Sequence, residues 1–280
     1  MTDDSARTAA VVSFTTDYGI ADAYVGICHG VIARIAPRAR VIDVSHGVPL
    51  GSVAAGSYLL ASAVPYLPAG VHLAVVDPGV GTDRRAVILR AGDSLLVGPD
   101  NGLLLPAADA LGGASRAYQA VDARFRLHPV SATFHGRDIF APAAAHLAAG
   151  AAPEEFGPVV EPASLVRLPV SPVRMTDGIL EGQVAHVDTY GNLILTIPAG
   201  RLPPMGVTDQ DLLAVTVAER TLPARRGRTF ADVPAGELVV HADSGGRLAI
   251  AVNCGSASRA FGGIPEDASV LIKRLPSGAG

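Results

Sequence analysis

Three short segments carry ionisable side chains directly after apolar runs: Thr15-Thr16-Asp17-Tyr18-Gly19, Asp77-Pro78-Gly79-Val80-Gly81-Thr82-Asp83-Arg84 and Thr133-Phe134-His135-Gly136-Arg137-Asp138. A carboxylate such as Asp17 can accept two hydrogen bonds, which suits a vicinal diol such as a ribose. Asp77 precedes a proline, so its backbone is held extended, and its carboxylate could orient a neighbouring cation. Arg84 and Arg85 are adjacent, so at most one is expected to point into a cleft. A guanidinium stays protonated and supplies a fixed positive charge. His135 lies between Phe134 and Gly136 at a strand-to-helix junction, where an imidazole can accept or relay a proton. Each of these residues also has a plain reading as a turn, cap or solvated residue.

The elements that would position them alternate. Val11–Thr15, Arg40–Val44 and Val71–Val76 read as strands. Asp22 is expected to cap a helix running to Ile35, Ser52–Val64 reads as a helix, and Asp138 is expected to cap a helix reaching Ala149. Ala86–Leu89 and Leu95–Val97 suggest a hairpin around Gly92-Asp93. Apolar strands alternating with helices imply an α/β unit with a mainly parallel sheet, where ligands bind beyond the carboxyl ends of strands. The proline-rich stretch Ala151–Pro172 reads as a linker. Beyond it, short strand-like runs with turn punctuation predict a smaller all-β barrel. The expected division is 1–165 for the α/β domain and 166–280 for the barrel. Two turns there carry polar groups, Asp188-Thr189-Tyr190-Gly191-Asn192 and Ser244-Gly245-Gly246-Arg247, the second followed by a strand and Asn253. Both also read as plain hairpin turns.

Composition narrows the function. The chain of 280 residues is 49% hydrophobic and 17% charged, with a net charge of -4. That balance excludes global disorder and gives no broad basic field for nucleic acid. Two cysteines without a CxxC pair make no disulfide framework. The first residues lack the apolar run of a signal peptide, and the uncharged stretch 44–76 is broken by glycine, proline and serine. A cytoplasmic protein without a membrane span is expected. No Walker-type phosphate loop, no HExxH pair and no GxSxG elbow is present, so no metal is expected.

The segments SFTTDYG (13–19), DAYVG (22–26), VVDPGVGTDRR (75–85), GPDNG (98–102), TFHGRDIFAP (133–142), VDTYGNLILTI (187–197) and SGGRLAIAVN (244–253) occur in that order. Together they resemble the S-adenosyl-L-methionine hydroxide adenosyltransferase family, the hydrolytic relatives of the fluorinase and chlorinase. The resemblance implies an N-terminal α/β domain, a C-terminal β-barrel, and a homotrimer with sites between subunits. It implies attack of water or hydroxide on C5′ of S-adenosylmethionine, with no cofactor. It places the catalytic trio on Asp77, Arg84 and His135, where halogenases have a tyrosine at the position of Asp77. It gives substrate contacts to Asp17, Tyr18 and Phe134, with Asp17 on the ribose. Asp188 and Ser244 would hold the methionine amine and carboxylate, and Asn192 and Asn253 would face the adenine. Gly245-Gly246 departs from the family pattern beside Ser244. Whether His135 is a base or a hydrogen-bond partner is left open, and halogenation or non-catalytic binding of the same ligand are the alternatives.

Overall fold

In the computed structural model, which describes residues 10–169, 172–264 and 267–276, the chain divides into two compact units between Leu168 and Pro169. The first unit is built on a seven-stranded sheet. Its strands are β1 (Val11–Thr16), β2 (Arg40–Ser45), β3 (Val71–Val75), β4 (Ala86–Ala91), β5 (Ser94–Pro99), β6 (Ala114–Gln119) and β7 (Val159–Val160), in the spatial order β2-β1-β3-β5-β4-β6-β7. The part β2-β1-β3-β5 is parallel. The remainder is antiparallel, starting with the β4–β5 hairpin.

Period-two alternation sends neighbouring residues to opposite faces. Leu73 and Val75 of β3 and Ile88 of β4 join one core. Ala74, Val76, Val87 and Leu89 join the other. Helices α1 (Tyr24–Ile35) and α4 (Ala141–Ala148) cover the first face, and α2 (Val53–Ala63) and α3 (Leu105–Ala110) the second. Both faces are therefore buried, as parallel strands require.

Three local expectations are corrected. Asp22 does not cap α1: the cap position is Ala23, without a side-chain bond. Asp138 does not start its helix either. A π-helical turn, Gly136–Phe140, runs into α4, and Asp138 lies inside it. Its carboxylate instead accepts from Ser131 N–H at 2.8 Å and pairs with Arg137. The proline-rich stretch is not a linker over most of its length. Phe156 stacks on Phe125 with ring centroids 3.9 Å apart, Val159–Val160 pairs with β6, and Leu165 is buried. Apolar residues placed between the prolines dock that segment onto the first unit.

The second unit is a barrel. It comprises β8 (Arg174–Thr176), β9 (Ile179–Val187), β10 (Leu193–Pro198), β11 (Leu212–Val217), β12 (Arg220–Arg226), β13 (Leu238–Ala242), β14 (Arg247–Val252) and β15 (Ser269–Arg274). The order β10-β14-β13-β12-β11-β15-β9 closes through a β9–β10 pairing, and β8 extends from β9. Alternate residues such as Leu213, Val215 and Val217 fill the interior.

His72 on β3 shows what the core tolerates. Its Nδ1 lies 2.8 Å from Ser13 Oγ, and burial lowers its pKa from 6.5 to about 4. The folded state therefore favours the neutral ring. The contribution is complete above pH 6.5 and is lost as pH falls toward 4, because the unfolded chain takes up the proton first. Two and a half pH units of such linkage correspond to about 3 kcal/mol. Unfolding followed from pH 7 to pH 4 should show this loss, and His72→Gln should flatten it. An equally steep slope in the variant would contradict the assignment.

Candidate active site

The strand order turns at β1, which lies between β2 and β3. That is a switch point, where the connections leave in opposite directions and open a crevice at the carboxyl ends of the strands. Asp17 follows β1 and Asp77 follows β3. Both line a cavity of about 730 Å³, together with Tyr18, Phe134, His135 and Gly136.

Glycines bring the loops together. Gly81 has φ +80°, and a Cβ there would lie 2.7 Å from the Ala132 carbonyl oxygen. The Asp77–Arg84 loop thus packs directly against the chain that leads to His135. The adjacent arginines diverge. Arg85 reaches Asp100 with Nε at 2.7 Å. Arg84 turns to Asp77, its Nε donating to the two carboxylate oxygens at 2.9 and 3.0 Å, while Nη2 also pairs with Oδ2. The same Nη2 lies 2.8 Å from His135 Nδ1. The guanidinium carbon sits 4.9 Å from the Phe140 ring centroid. Asp77 and Arg84 side chains are only 6% and 11% exposed, so this pair is fixed and largely shielded from solvent screening.

The geometry defines a tautomer. A guanidinium only donates, so His135 Nδ1 accepts, and the neutral ring carries its proton on Nε2. Burial and the Arg84 charge lower the His135 pKa below 6.5, with Asp77 opposing and Arg126 reinforcing the shift. The ring is neutral at pH 7.

The aromatic wall is as constrained. Tyr18 and Phe134 meet edge-on at 5.8 Å, and Tyr24 and Phe134 at 5.1 Å. A Cβ on Gly136 would fall 2.0 Å from Tyr18 Oη. Burial, then the nearby Cys28, Asp17 and Asp77, push the Tyr18 pKa up, so the phenol keeps its proton. Asp17 Oδ2 accepts from Gly51 N–H at 2.9 Å. Gly51, Asp22, Tyr24 and Leu50 also line the cavity. Leu50 and Gly51 carried no functional signal in the sequence, because only the fold brings 50–51 beside 17, whereas Asp22 and Tyr24 lie in the DAYVG segment.

The remaining candidates lie in the second unit. Asp188 organises the β9–β10 turn: Oδ1 accepts from the backbone of Tyr190 and Asn192, and Oδ2 accepts from Asn192 Nδ2 at 2.8 Å. Asn253 follows β14 and donates from Nδ2 to the Val233 carbonyl at 2.8 Å. Since Leu193 pairs with Ile250, Asn192 and Asn253 lie toward the same end of β14. Ser244 is exposed in the turn at its other end, about 17 Å away along a six-residue strand.

A family model for the SAM hydroxide adenosyltransferase N-terminal domain matches residues 12–157, and one for its C-terminal domain matches 182–269. The chain belongs to this family. A relative from Salinispora tropica named (R)-S-adenosyl-L-methionine hydrolase is 54% identical over 256 residues, covering 91% of this chain and 95% of that protein. A fluorinase from Actinoplanes sp. is 28% identical over 273 residues, covering 87% and 91%. A crystal structure of an uncharacterized conserved protein from Thermotoga maritima superposes with a TM-score of 0.87 at 37% identity, covering 94% of this chain and all of that one.

Proposed function

We propose that this hydroxide adenosyltransferase homologue hydrolyses S-adenosyl-L-methionine to adenosine and L-methionine. The observation that carries the reading is the hydrogen-bonded chain Asp77–Arg84–His135 beside the cavity at the β1/β3 switch point. Identity to a named hydrolase at twice the level seen with a fluorinase supports hydrolysis over halogenation.

The chemistry asks little of an acid. Water gives one proton to solvent, its oxygen bonds to C5′, and the C5′–S electrons remain on sulfur as a neutral thioether. The demand is for an aligned, desolvated oxygen nucleophile, and alignment is worth up to about 7–11 kcal/mol in ideal cases. Free water has a pKa of about 15.7, so a nearby fixed cation favours hydroxide. In this reading Arg84 supplies that field. Asp77 offsets part of that charge, so a sulfonium substrate is repelled less. Two unit positive charges about 6 Å apart at an effective dielectric near 20 would otherwise cost roughly 3 kcal/mol. His135, with Nδ1 engaged by Arg84, offers Nε2–H as a donor and serves as a hydrogen-bond partner rather than the base. Asp17 accepts from the ribose hydroxyls, and Tyr18 and Phe134 flank the nucleoside.

The reading extends to a homotrimer whose neighbouring subunit supplies Asp188, Asn192 and Asn253, which lie at one end of β14, while Ser244 at its other end falls outside that cluster. Leu50, which lines the cavity, is 90% exposed, which supports a covering partner. We also place the protein in the cytoplasm. Both cysteines are free, which suits a reducing compartment, and among the described residues no helix is long and apolar enough to cross a membrane.

Incubation with S-adenosyl-L-methionine should release adenosine and methionine at a rate unaffected by chloride or fluoride. Halide-dependent 5′-halo-5′-deoxyadenosine would instead make the chain a halogenase, and bound ligand without turnover would make it a binding protein. A second expectation concerns pH. Protonation of His135 at Nδ1 displaces the Arg84 bond, so kcat should fall on the acid side with an apparent pKa below 6.5. His135→Asn should abolish that limb and lower kcat about 100-fold, the usual cost of one preorganised hydrogen-bond donor. A variant within threefold of wild type, or one with the limb intact, would remove His135 from the mechanism.

A further inference from the structure

We infer that the first unit carries a second site, for a divalent transition-metal cation, formed by His29, Asp43 and His46. The three residues come from α1, β2 and the residue just after β2. Their ligand atoms all lie within 4.8 Å of one another. His29 Nε2 is 2.8 Å from Asp43 Oδ1, and His46 Nε2 is 3.1 Å from the same oxygen. The edges of a tetrahedron with metal–ligand bonds of 2.0–2.1 Å are roughly 3.3 Å. The two nitrogen–oxygen edges therefore need to lengthen by only a few tenths of an ångström to hold a cation, and the two imidazole nitrogens are already within 4.8 Å of each other.

A second observation points to a ligand. His46 is 7% exposed, yet its Nε2 has no hydrogen-bond partner; the approach to Asp43 is close but not aligned. A buried imidazole nitrogen left in this state is costly unless something else uses it. Its other nitrogen is already placed, with Nδ1 2.8 Å from Thr16 Oγ1. Metal-bound histidines are held in this way, one nitrogen on the cation and the other on a second hydrogen-bonding group. Two imidazoles and one carboxylate suit zinc-like cations rather than calcium or magnesium, which prefer all-oxygen sets. His29 and Asp43 are 35% and 43% exposed, which leaves an entry path and a fourth position for water.

The site abuts the loop that carries Asp17. Thr16 contacts His46 through its side chain, and Gly19 N–H donates to the His46 carbonyl at 2.8 Å. A bound cation would fasten β2 and α1 to both ends of that loop. The sequence hid this set because His29 and His46 are far apart and on different elements.

The test uses the full chain, stripped with a chelator and titrated with Zn²⁺ against a chromophoric competitor. One equivalent per chain is expected. His29→Gln and Asp43→Asn, both at partly exposed positions, should each weaken binding about 100-fold while keeping the native circular dichroism spectrum. His128→Gln, at an exposed histidine elsewhere, should bind as wild type does. Co²⁺ should give the visible d–d bands of a four-coordinate site in wild type and lose them in Asp43→Asn. Zn²⁺ at a hundredfold excess over Kd should raise the unfolding midpoint of wild type by roughly 5 °C. Absence of stoichiometric uptake, or equal affinity in wild type and the His29→Gln variant, would overturn the site.

Discussion

Arg84→Ala should lower kcat by about a thousandfold and also destabilise the first unit. Three functions end together. Asp77 loses the fork that engages both of its oxygens. His135 Nδ1 loses its donor, so the Nε2–H tautomer is no longer enforced. The fixed positive charge disappears, and removal of a single preorganised electrostatic group commonly costs 10²–10³ in kcat. Asp77, 6% exposed, is then a buried carboxylate without its cation, worth roughly 3–5 kcal/mol of stability. The double variant Asp77→Asn/Arg84→Ala separates these effects. It should recover much of the stability and none of the turnover. If Arg84→Ala keeps kcat within tenfold, the charge has no part in the reaction. If the double variant regains activity, the loss in the single variant came from misfolding.

Gly136→Ala should reduce kcat/KM about 100-fold through one methyl group. The added carbon would meet Tyr18 Oη at 2.0 Å and Cζ at 3.0 Å. Tyr18 is hemmed in by Phe134 and Tyr24, and Gly136 lies in the π-helical turn next to His135. Either the ring swings into the cavity or the turn retreats with His135, and both displace groups facing the substrate. A shift of about 1 Å at such a position can cost 10²-fold. Tyr18→Phe removes the closest atom, so Tyr18→Phe/Gly136→Ala should be about tenfold more active than Gly136→Ala alone. Additive losses in the double variant would show that the two residues do not compete for the same space.

The sequence made one class of feature readable and hid another. Strands β1 and β3 were plain because both faces of a central parallel strand are buried, which writes a continuous apolar run ending at a charge. Asp17 and Asp77 were visible for that reason. The hairpin of β4 and β5 and most barrel strands were readable from alternation and turn residues. Strand β12 was not, because Arg220–Arg226 contains Pro223 and is rich in arginine. It forms a strand through its antiparallel pairing with β11 and a two-residue parallel contact with β13. Strand β6 was also missed: Ser115 and Arg116 are exposed, and only the very short β7 covers its outer edge. At Asp22 and Asp138 the cap rule failed because it treats the helix start as local. Asp138 is taken by Ser131 and Arg137 instead. The divergence of Arg84 from Arg85 was foreseeable as an either-or, but only the positions of Asp77 and Asp100 decide which arginine goes where.

The most direct test follows the oxygen. Turnover of S-adenosyl-L-methionine in ¹⁸O-labelled water, analysed by mass spectrometry, should place one label on the 5′-oxygen of adenosine and none in methionine. Labelled methanol with S-adenosylhomocysteine, or labelled homoserine with methylthioadenosine, would contradict the account. Either pair would mean that the oxygen had attacked a different carbon of the sulfonium and that the Asp77–Arg84–His135 chain serves another reaction.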